Sequence, residues 1–130
     1  MTALGVGGEL LENHRYDPVL MDVLAVVLVY RPDYQHLGRL VERILQQTPH
    51  VALLVNEGDS NRLAFPGVTL IEMERNVGVA AGLNAAAARA RQLGCRFLQS
   101  FDQDSLPSTT MLVELVRAVN DLVDRGQEVA

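Results

Sequence analysis

The chain contains no lysine and no tryptophan, and it has a single cysteine among its 130 residues. All 11 cationic side chains are therefore arginines, and the net charge is −5. A chain with this charge lacks the basic surface with which proteins bind a DNA or RNA backbone. Cys95 cannot form a disulfide within the chain. Its position beside an apolar segment predicts a buried structural thiol rather than a nucleophile.

The sequence also lacks a long apolar run. The longest one, Val23–Tyr30, is far too short to cross a lipid bilayer. The first twenty residues include Glu9 and Glu12 and show no basic region followed by an apolar core, so no signal peptide is predicted. These features predict a cytoplasmic protein.

What the chain does contain is a regular succession of apolar segments. Its 48% apolar and 21% charged residues are ordinary for a globular domain. Continuous apolar runs predict buried strands, and apolar residues three and four apart predict helices. The predicted strands are Val23–Tyr30, Val51–Val55, Val68–Ile71 and Arg96–Phe101, and the predicted helices span about Leu37–Leu45, Val77–Leu93 and Met111–Val123. Glycines and Pro18 predict an irregular arm over residues 1–21, followed by one domain at 22–130.

This order of elements predicts an α/β fold of three layers, αβα, with a mostly parallel, Rossmann-like sheet. In such sheets, ligands bind beyond the carboxyl ends of the strands. The segments that follow the three long strands, residues 30–32, 56–58 and 102–104, are therefore expected to meet at one edge. The sequence predicts a ligand site there.

Two carboxylates follow the last predicted strand with one residue between them. In extended backbone Asp102 and Asp104 would point to the same face, with Cα atoms about 6–7 Å apart. Mg²⁺ and Mn²⁺ are commonly held by one or two carboxylates together with phosphate oxygens. A solvated turn or a helix start would use the same residues, and their place at the predicted edge makes a metal site an equal alternative.

The segment Asn76–Asn84 opens the second predicted helix with two glycines. Small residues there would let the helix pack closely on the sheet, or its first turn would receive an anion or a ribose. Gly82 lies inside the helix at a cost of about 1 kcal/mol relative to alanine, so its missing side chain must serve one of these purposes. Asn56 and Glu57, after the second strand, are suited either to a loop or to base recognition.

Four segments together resemble the inverting GT-A glycosyltransferases of family 2. They are the strand ending in Val29-Tyr30-Arg31-Pro32, the strand ending in Val55-Asn56-Glu57-Gly58, the run from Asn76 to Asn84, and Asp102-Gln103-Asp104-Ser105. The acidic motif is most similar to that of the rhamnosyltransferase branch. The resemblance covers about Val23 to Val123 and implies the nucleotide-binding half of a GT-A fold.

The resemblance also implies a function. The chain would bind a nucleotide-diphosphate sugar, such as dTDP-rhamnose, with Mg²⁺ or Mn²⁺, for inverting transfer to a glycan or lipid acceptor in polysaccharide biosynthesis. The full-length protein would work in the cytoplasm, at the inner face of the membrane. The metal ligands implied are Asp102 and Asp104, and the nucleotide-sugar contacts implied are Tyr30, Pro32, Asn56, Asn76, Gly78, Asn84 and Asp102.

Two features depart from the family pattern. Asn56 stands where the family usually has a base-recognising aspartate, and Arg31 stands where it usually has asparagine.

The family's general base and acceptor subsite come later than the acidic motif, so the resemblance places them beyond Ala130. The 130 residues are therefore expected to be a donor-binding portion that transfers no sugar alone. An uncovered sheet edge or helix face is expected to make this portion self-associate.

The main alternative is a non-catalytic, doubly wound regulatory or nucleotide-binding module. A receiver-like domain also uses acidic residues at strand ends, but it would need a further acidic pair after strand one and a lysine late in the chain. The sequence has Tyr30-Arg31-Pro32 at the first place and no lysine at all. A nucleotidyltransferase would need a basic, glycine-rich loop after strand one, and that loop is missing too.

Overall fold

The structure, a computed structural model, describes residues 16–73 and 78–126. Its strands are β1 (Val23–Tyr30), β2 (Val51–Glu57), β3 (Val68–Glu72) and β4 (Phe97–Asp102). Its α-helices are α1 (Tyr34–Leu45), α2 (Val79–Leu93) and α3 (Met111–Asp124), and a short 3-10 helix, Pro18–Asp22, precedes β1. The order of strands and α-helices is the one that the apolar pattern predicts.

The four strands form one parallel sheet in the order β3-β2-β1-β4. Side chains of β1 alternate between its two faces, as in any strand. Ala25 and Val27 belong to the core cluster that contains residues of α1 and α3, whereas Leu24 and Val26 belong to the cluster that contains residues of α2. Helices therefore cover both faces, and the predicted three-layer α/β fold is confirmed.

The segment before β1 differs from the prediction. Residues 18–22 form a 3-10 helix instead of an irregular arm, and Leu20 is buried in the core. The Asp17 side chain accepts a hydrogen bond from the Val19 N–H at 3.1 Å, and its other oxygen lies 2.8 Å from Nη2 of Arg117 on α3. Asp17 followed by a proline is a helix-start signal that outweighs the breaking effect of Pro18. Residues 1–15 of the predicted arm lie outside the described residues.

Three strands extend beyond their predicted ends. β2 runs to Glu57 rather than Val55, β3 runs to Glu72 rather than Ile71, and β4 runs to Asp102 rather than Phe101. The apolar pattern marks the apolar part of a strand, whereas the backbone ladder with the neighbouring strand continues into exposed polar residues. This extension puts polar residues on rigid strand ends.

Cys95 is buried between α2 and the sheet, as predicted for a structural thiol. Its Sγ lies 3.8 Å from the Met21 carbonyl oxygen, and burial raises the pKa of the thiol.

In residues 16–73 and 78–126, no helix has both the length and the apolar character needed to cross a membrane.

One edge of the sheet carries an apolar groove. β4 is a terminal strand of the sheet, and a groove of about 520 Å³ lies between it and α3. Leu98 of β4 is 36% exposed, and Leu115 and Val123 of α3 are also exposed. Unpaired strand edges beside apolar side chains tend to pair with another chain.

We expect this groove to be where the chain self-associates. The chain should sediment as a dimer or larger species, and Leu115→Glu should shift it towards monomer because the charge would be buried at the contact. Sedimentation velocity over a concentration series measures both. Leu106→Glu is the matched control, since Leu106 is exposed but does not line the groove. A monomer at all concentrations would contradict the expectation.

Candidate functional site

The carboxyl ends of β1, β2 and β4 lie side by side. Tyr30, the last residue of β1, is aligned with Glu57 of β2, and Leu28 is aligned with Asp102 of β4. The predicted meeting of the three segments at one edge of the sheet is therefore confirmed. It brings polar and aromatic side chains from distant parts of the chain together.

A mainly apolar pocket of about 110 Å³ opens between these strand ends and the start of α2. Two of its lining residues have polar side chains, the half-exposed Tyr30 and the exposed Asn56. The remaining described residues of the lining are Leu28, Val29, Leu54, Met73, Val79 and Gly82. The pocket can therefore hold an apolar or flat group with a single amide nearby.

The register between β1 and β2 shifts at this pocket. Val29 is aligned with Val55, but Tyr30 is aligned with Glu57, so Asn56 has no partner residue on β1. Such irregularities interrupt the ladder and re-aim side chains, and they are frequent beside functional sites. Here the unpaired residue is one that lines the pocket.

The acidic motif does not have the extended geometry that the sequence predicts. β4 ends at Asp102, and residues 102–105 form a turn in which the Ser105 N–H and hydroxyl donate to the Asp102 carbonyl oxygen at 3.0 and 2.6 Å. The rule that residues two apart share one face therefore does not apply to Asp102 and Asp104. Aspartate at the first position of such a turn is common, because its short polar side chain suits the turn backbone.

Both carboxylates of the turn are available to a ligand. Asp102 and Asp104 are exposed, and within the described residues neither side chain makes a hydrogen bond or an ion pair. No group of three or more His, Cys, Asp or Glu side chains suited to a metal occurs in that part of the chain. Two carboxylates still fit Mg²⁺ or Mn²⁺, because such ions keep several waters and take further oxygens from substrate phosphates.

Gln103 connects the acidic turn to the pocket. Its side-chain oxygen accepts from the Tyr30 N–H at 2.8 Å, and its side-chain nitrogen donates to the Tyr30 carbonyl at 2.7 Å. The amide thus pairs with both backbone groups of the last residue of β1, as a neighbouring strand would. Sequence reasoning missed this role, because a glutamine between two aspartates carries no pattern that identifies its partner.

Helix α1 holds the segment that follows the acidic turn. His36 Nε2 donates to the Ser105 carbonyl at 3.0 Å, and Arg43 Nη1 donates to the Pro107 carbonyl at 2.8 Å. The buried Gln47, just after α1, donates to the Ser108 carbonyl and accepts from the Leu112 N–H, both at 3.0 Å. These contacts fix the path of residues 105–112 and, with it, one end of the turn.

The residue after Tyr30 has an unusual backbone. Arg31 has φ of 43°, in the left-handed region that residues with a side chain seldom adopt. Its N–H donates to the Glu57 carbonyl at 2.8 Å, and its Nε lies 2.9 Å from Oε1 of Glu57. A backbone conformation of this kind costs about 1–3 kcal/mol, and the residue that adopts it lies at the edge of the candidate site.

The other predicted site residues are less closely grouped. Pro32 is buried and lines a separate groove with Glu57 and Gly58, and Asn84 is exposed on α2 but does not line the pocket. Gly78 is exposed at the start of α2, where an added side chain would meet open space. Asn76 lies outside the described residues. Tyr30, Asn56 and the acidic turn are therefore the part of the predicted set that the fold brings together.

Gly82 serves close packing and also lines the pocket. A Cβ atom there would lie 2.8 Å from Cε and 2.9 Å from Sδ of Met73, and 3.3 Å from Cδ1 of Leu54. The sequence left two purposes open for this glycine, close packing of the helix on the sheet and space for a ligand, and both apply at this position. Its missing side chain lets α2 approach the sheet while leaving the pocket open.

We expect Gly82→Val to destabilise the protein by about 1–3 kcal/mol, because the branched side chain would overlap Met73 and Leu54. Chemical denaturation measures the change. Ala81→Val, at an exposed position of the same helix, should cost only the difference in helix propensity, about 0.5 kcal/mol. Adding Met73→Ala to Gly82→Val should recover part of the loss. Equal stabilities for the valine variants would contradict close packing at Gly82.

No protein-family model matches this chain, and no curated protein matches it.

Proposed function

We propose that this chain is the donor-binding portion of a glycosyltransferase, and specifically of a rhamnosyltransferase. It would bind a nucleotide-diphosphate sugar such as dTDP-rhamnose at the carboxyl edge of the sheet. The acceptor would be a glycan or a lipid, and the protein would act in the cytoplasm, at the inner face of the membrane. The resemblance of four sequence segments to family 2 GT-A enzymes motivates the proposal.

One observation carries the proposal. Tyr30 lines the pocket, and its backbone is hydrogen-bonded to the side chain of Gln103, which lies between the two aspartates. The pocket and the pair of carboxylates are therefore adjacent and joined by these hydrogen bonds. A nucleotide diphosphate has the same two parts, a flat base and a group that binds divalent cations.

The chemistry assigned to each residue follows from this arrangement. The base would lie in the pocket against Tyr30, with Asn56 at its polar edge. Asp102 and Asp104 would hold Mg²⁺ or Mn²⁺, which when bound offsets the charge of the diphosphate leaving group. Without such a cation, the net charge of −5 and these two carboxylates would repel the diphosphate. No general base is assigned among the residues described.

The test is calorimetric titration of dTDP or UDP into the chain with and without Mn²⁺. We expect binding with Mn²⁺ and little or none without it, because the carboxylates and the diphosphate then repel each other. Circular dichroism on the same sample establishes that the protein is folded. Negligible heats under both conditions, with a folded protein, would overturn the proposal.

A further inference from the structure

The amide of Asn56 differs from the other amides around the site, because no described residue fixes its orientation. The amide of Gln103 is held at both ends by Tyr30, and that of Gln47 is held by Ser108 and Leu112. Within residues 16–73 and 78–126, the Asn56 side chain makes no hydrogen bond. Since a half-turn about the last side-chain bond exchanges the donor and the acceptor of an amide, a ligand can set its orientation.

The size of the pocket limits what can occupy it. Its volume of about 110 Å³ is well above the roughly 10–15 Å³ that one water needs. It is well below the roughly 300 Å³ at which pockets for whole small molecules begin. A single flat ring is therefore a better match than two fused rings.

The lining limits how that ring is recognised. Among the described lining residues, only Asn56 and the hydroxyl of Tyr30 bring a polar side-chain group. Asn56 is also the residue left without a partner by the register shift between β1 and β2. Among the described residues, hydrogen bonding to the edge of a ring in this pocket therefore depends mainly on one amide that can turn.

We propose that the pocket accepts pyrimidine bases of both hydrogen-bond polarities, uracil or thymine and also cytosine. This inference rests on the proposed function and extends it to the class of donor nucleotide. Uracil and thymine present the N3–H donor beside the O4 acceptor, and cytosine presents the N4 amino donor beside the N3 acceptor. Asn56 pairs with the first arrangement in one orientation and with the second after a half-turn.

The test compares UDP, CDP and GDP by calorimetric titration into the full chain with Mn²⁺. We expect the Kd values for UDP and CDP to agree within about threefold, and GDP to bind at least about tenfold more weakly. Asn56→Leu should weaken UDP and CDP together, by about 5–150-fold, the range expected for loss of a paired amide contact. Asn61→Leu is the matched control, since Asn61 is exposed and does not line the pocket.

A second readout locates the contact. The side-chain amide resonances of Asn56, identified by their absence from the Asn56→Leu spectrum, should shift with UDP and with CDP. Binding of UDP with CDP more than about tenfold weaker would overturn this inference and leave the proposed function in place. Equal binding of all three nucleotides that is insensitive to Asn56→Leu would also overturn it. Binding of none of them would overturn both.

Discussion

Replacing Asp104 with alanine is expected to weaken Mn²⁺-dependent binding of dTDP or UDP by about 100-fold or more. The carboxylate is exposed in the turn after β4. Within the described residues it makes no hydrogen bond or ion pair that would give it a role in stabilising the fold. Its proposed purpose is to hold the cation that offsets the diphosphate charge. The unfolding free energy should change by less than about 0.5 kcal/mol, as for other surface positions. Calorimetry and chemical denaturation measure the two quantities.

Asp124→Ala is the control for the change in net charge. Asp124 is also exposed, but it ends α3 and lies outside the candidate site. It should leave nucleotide binding almost unchanged. A large loss of stability in Asp104→Ala with intact nucleotide binding would instead assign Asp104 a structural role.

Replacing Gln47 with leucine is expected to lower the unfolding free energy by about 2–3 kcal/mol. The side chain of Gln47 is buried, and its amide satisfies the Ser108 carbonyl and the Leu112 N–H. Leucine has a similar shape but can satisfy neither group, and the N–H of the buried Leu112 would be left without its partner, which is costly. Chemical denaturation gives the magnitude.

Gln35→Leu provides the comparison, because Gln35 is exposed in the first turn of α1. It should change stability by less than about 0.5 kcal/mol. If Gln47→Leu cost no more than this control, the amide would not be what anchors residues 108–112 to α1.

The layers of the fold were predictable because burial leaves a pattern in the sequence. β1 is buried on both faces, so it reads as a continuous apolar run, and α1 shows an apolar residue every three or four positions. The convergence of the strand ends then follows from parallel pairing alone. The order of strands and helices and the layers of the fold were predicted correctly because both follow from which residues are apolar.

The contacts of the site were not predictable in the same way. Gln103 pairs with backbone groups of a residue 73 positions earlier, and no local pattern reports such a pairing. The extended geometry predicted for Asp102 and Asp104 requires the strand to continue, whereas β4 ends at Asp102. The burial of Gln47 could have been predicted, because it follows the buried Ile44 by three residues and so lies in line with the buried face of α1. A polar side chain at such a position needs hydrogen-bond partners inside the protein.

The strand order has a consequence for how the chain folds. β1 pairs with β2 through residues such as Ala25 and Val51, 51 − 25 = 26 positions apart, whereas it pairs with β4 through Val23 and Phe97, 97 − 23 = 74 positions apart. Closing the longer loop costs more entropy, and pairings distant in sequence tend to form slowly. We therefore expect β1, α1 and β2 to associate first and β4 to dock late. Because Asp102, Gln103 and Asp104 arrive with β4, ligand-binding competence should emerge only at the final stage of refolding.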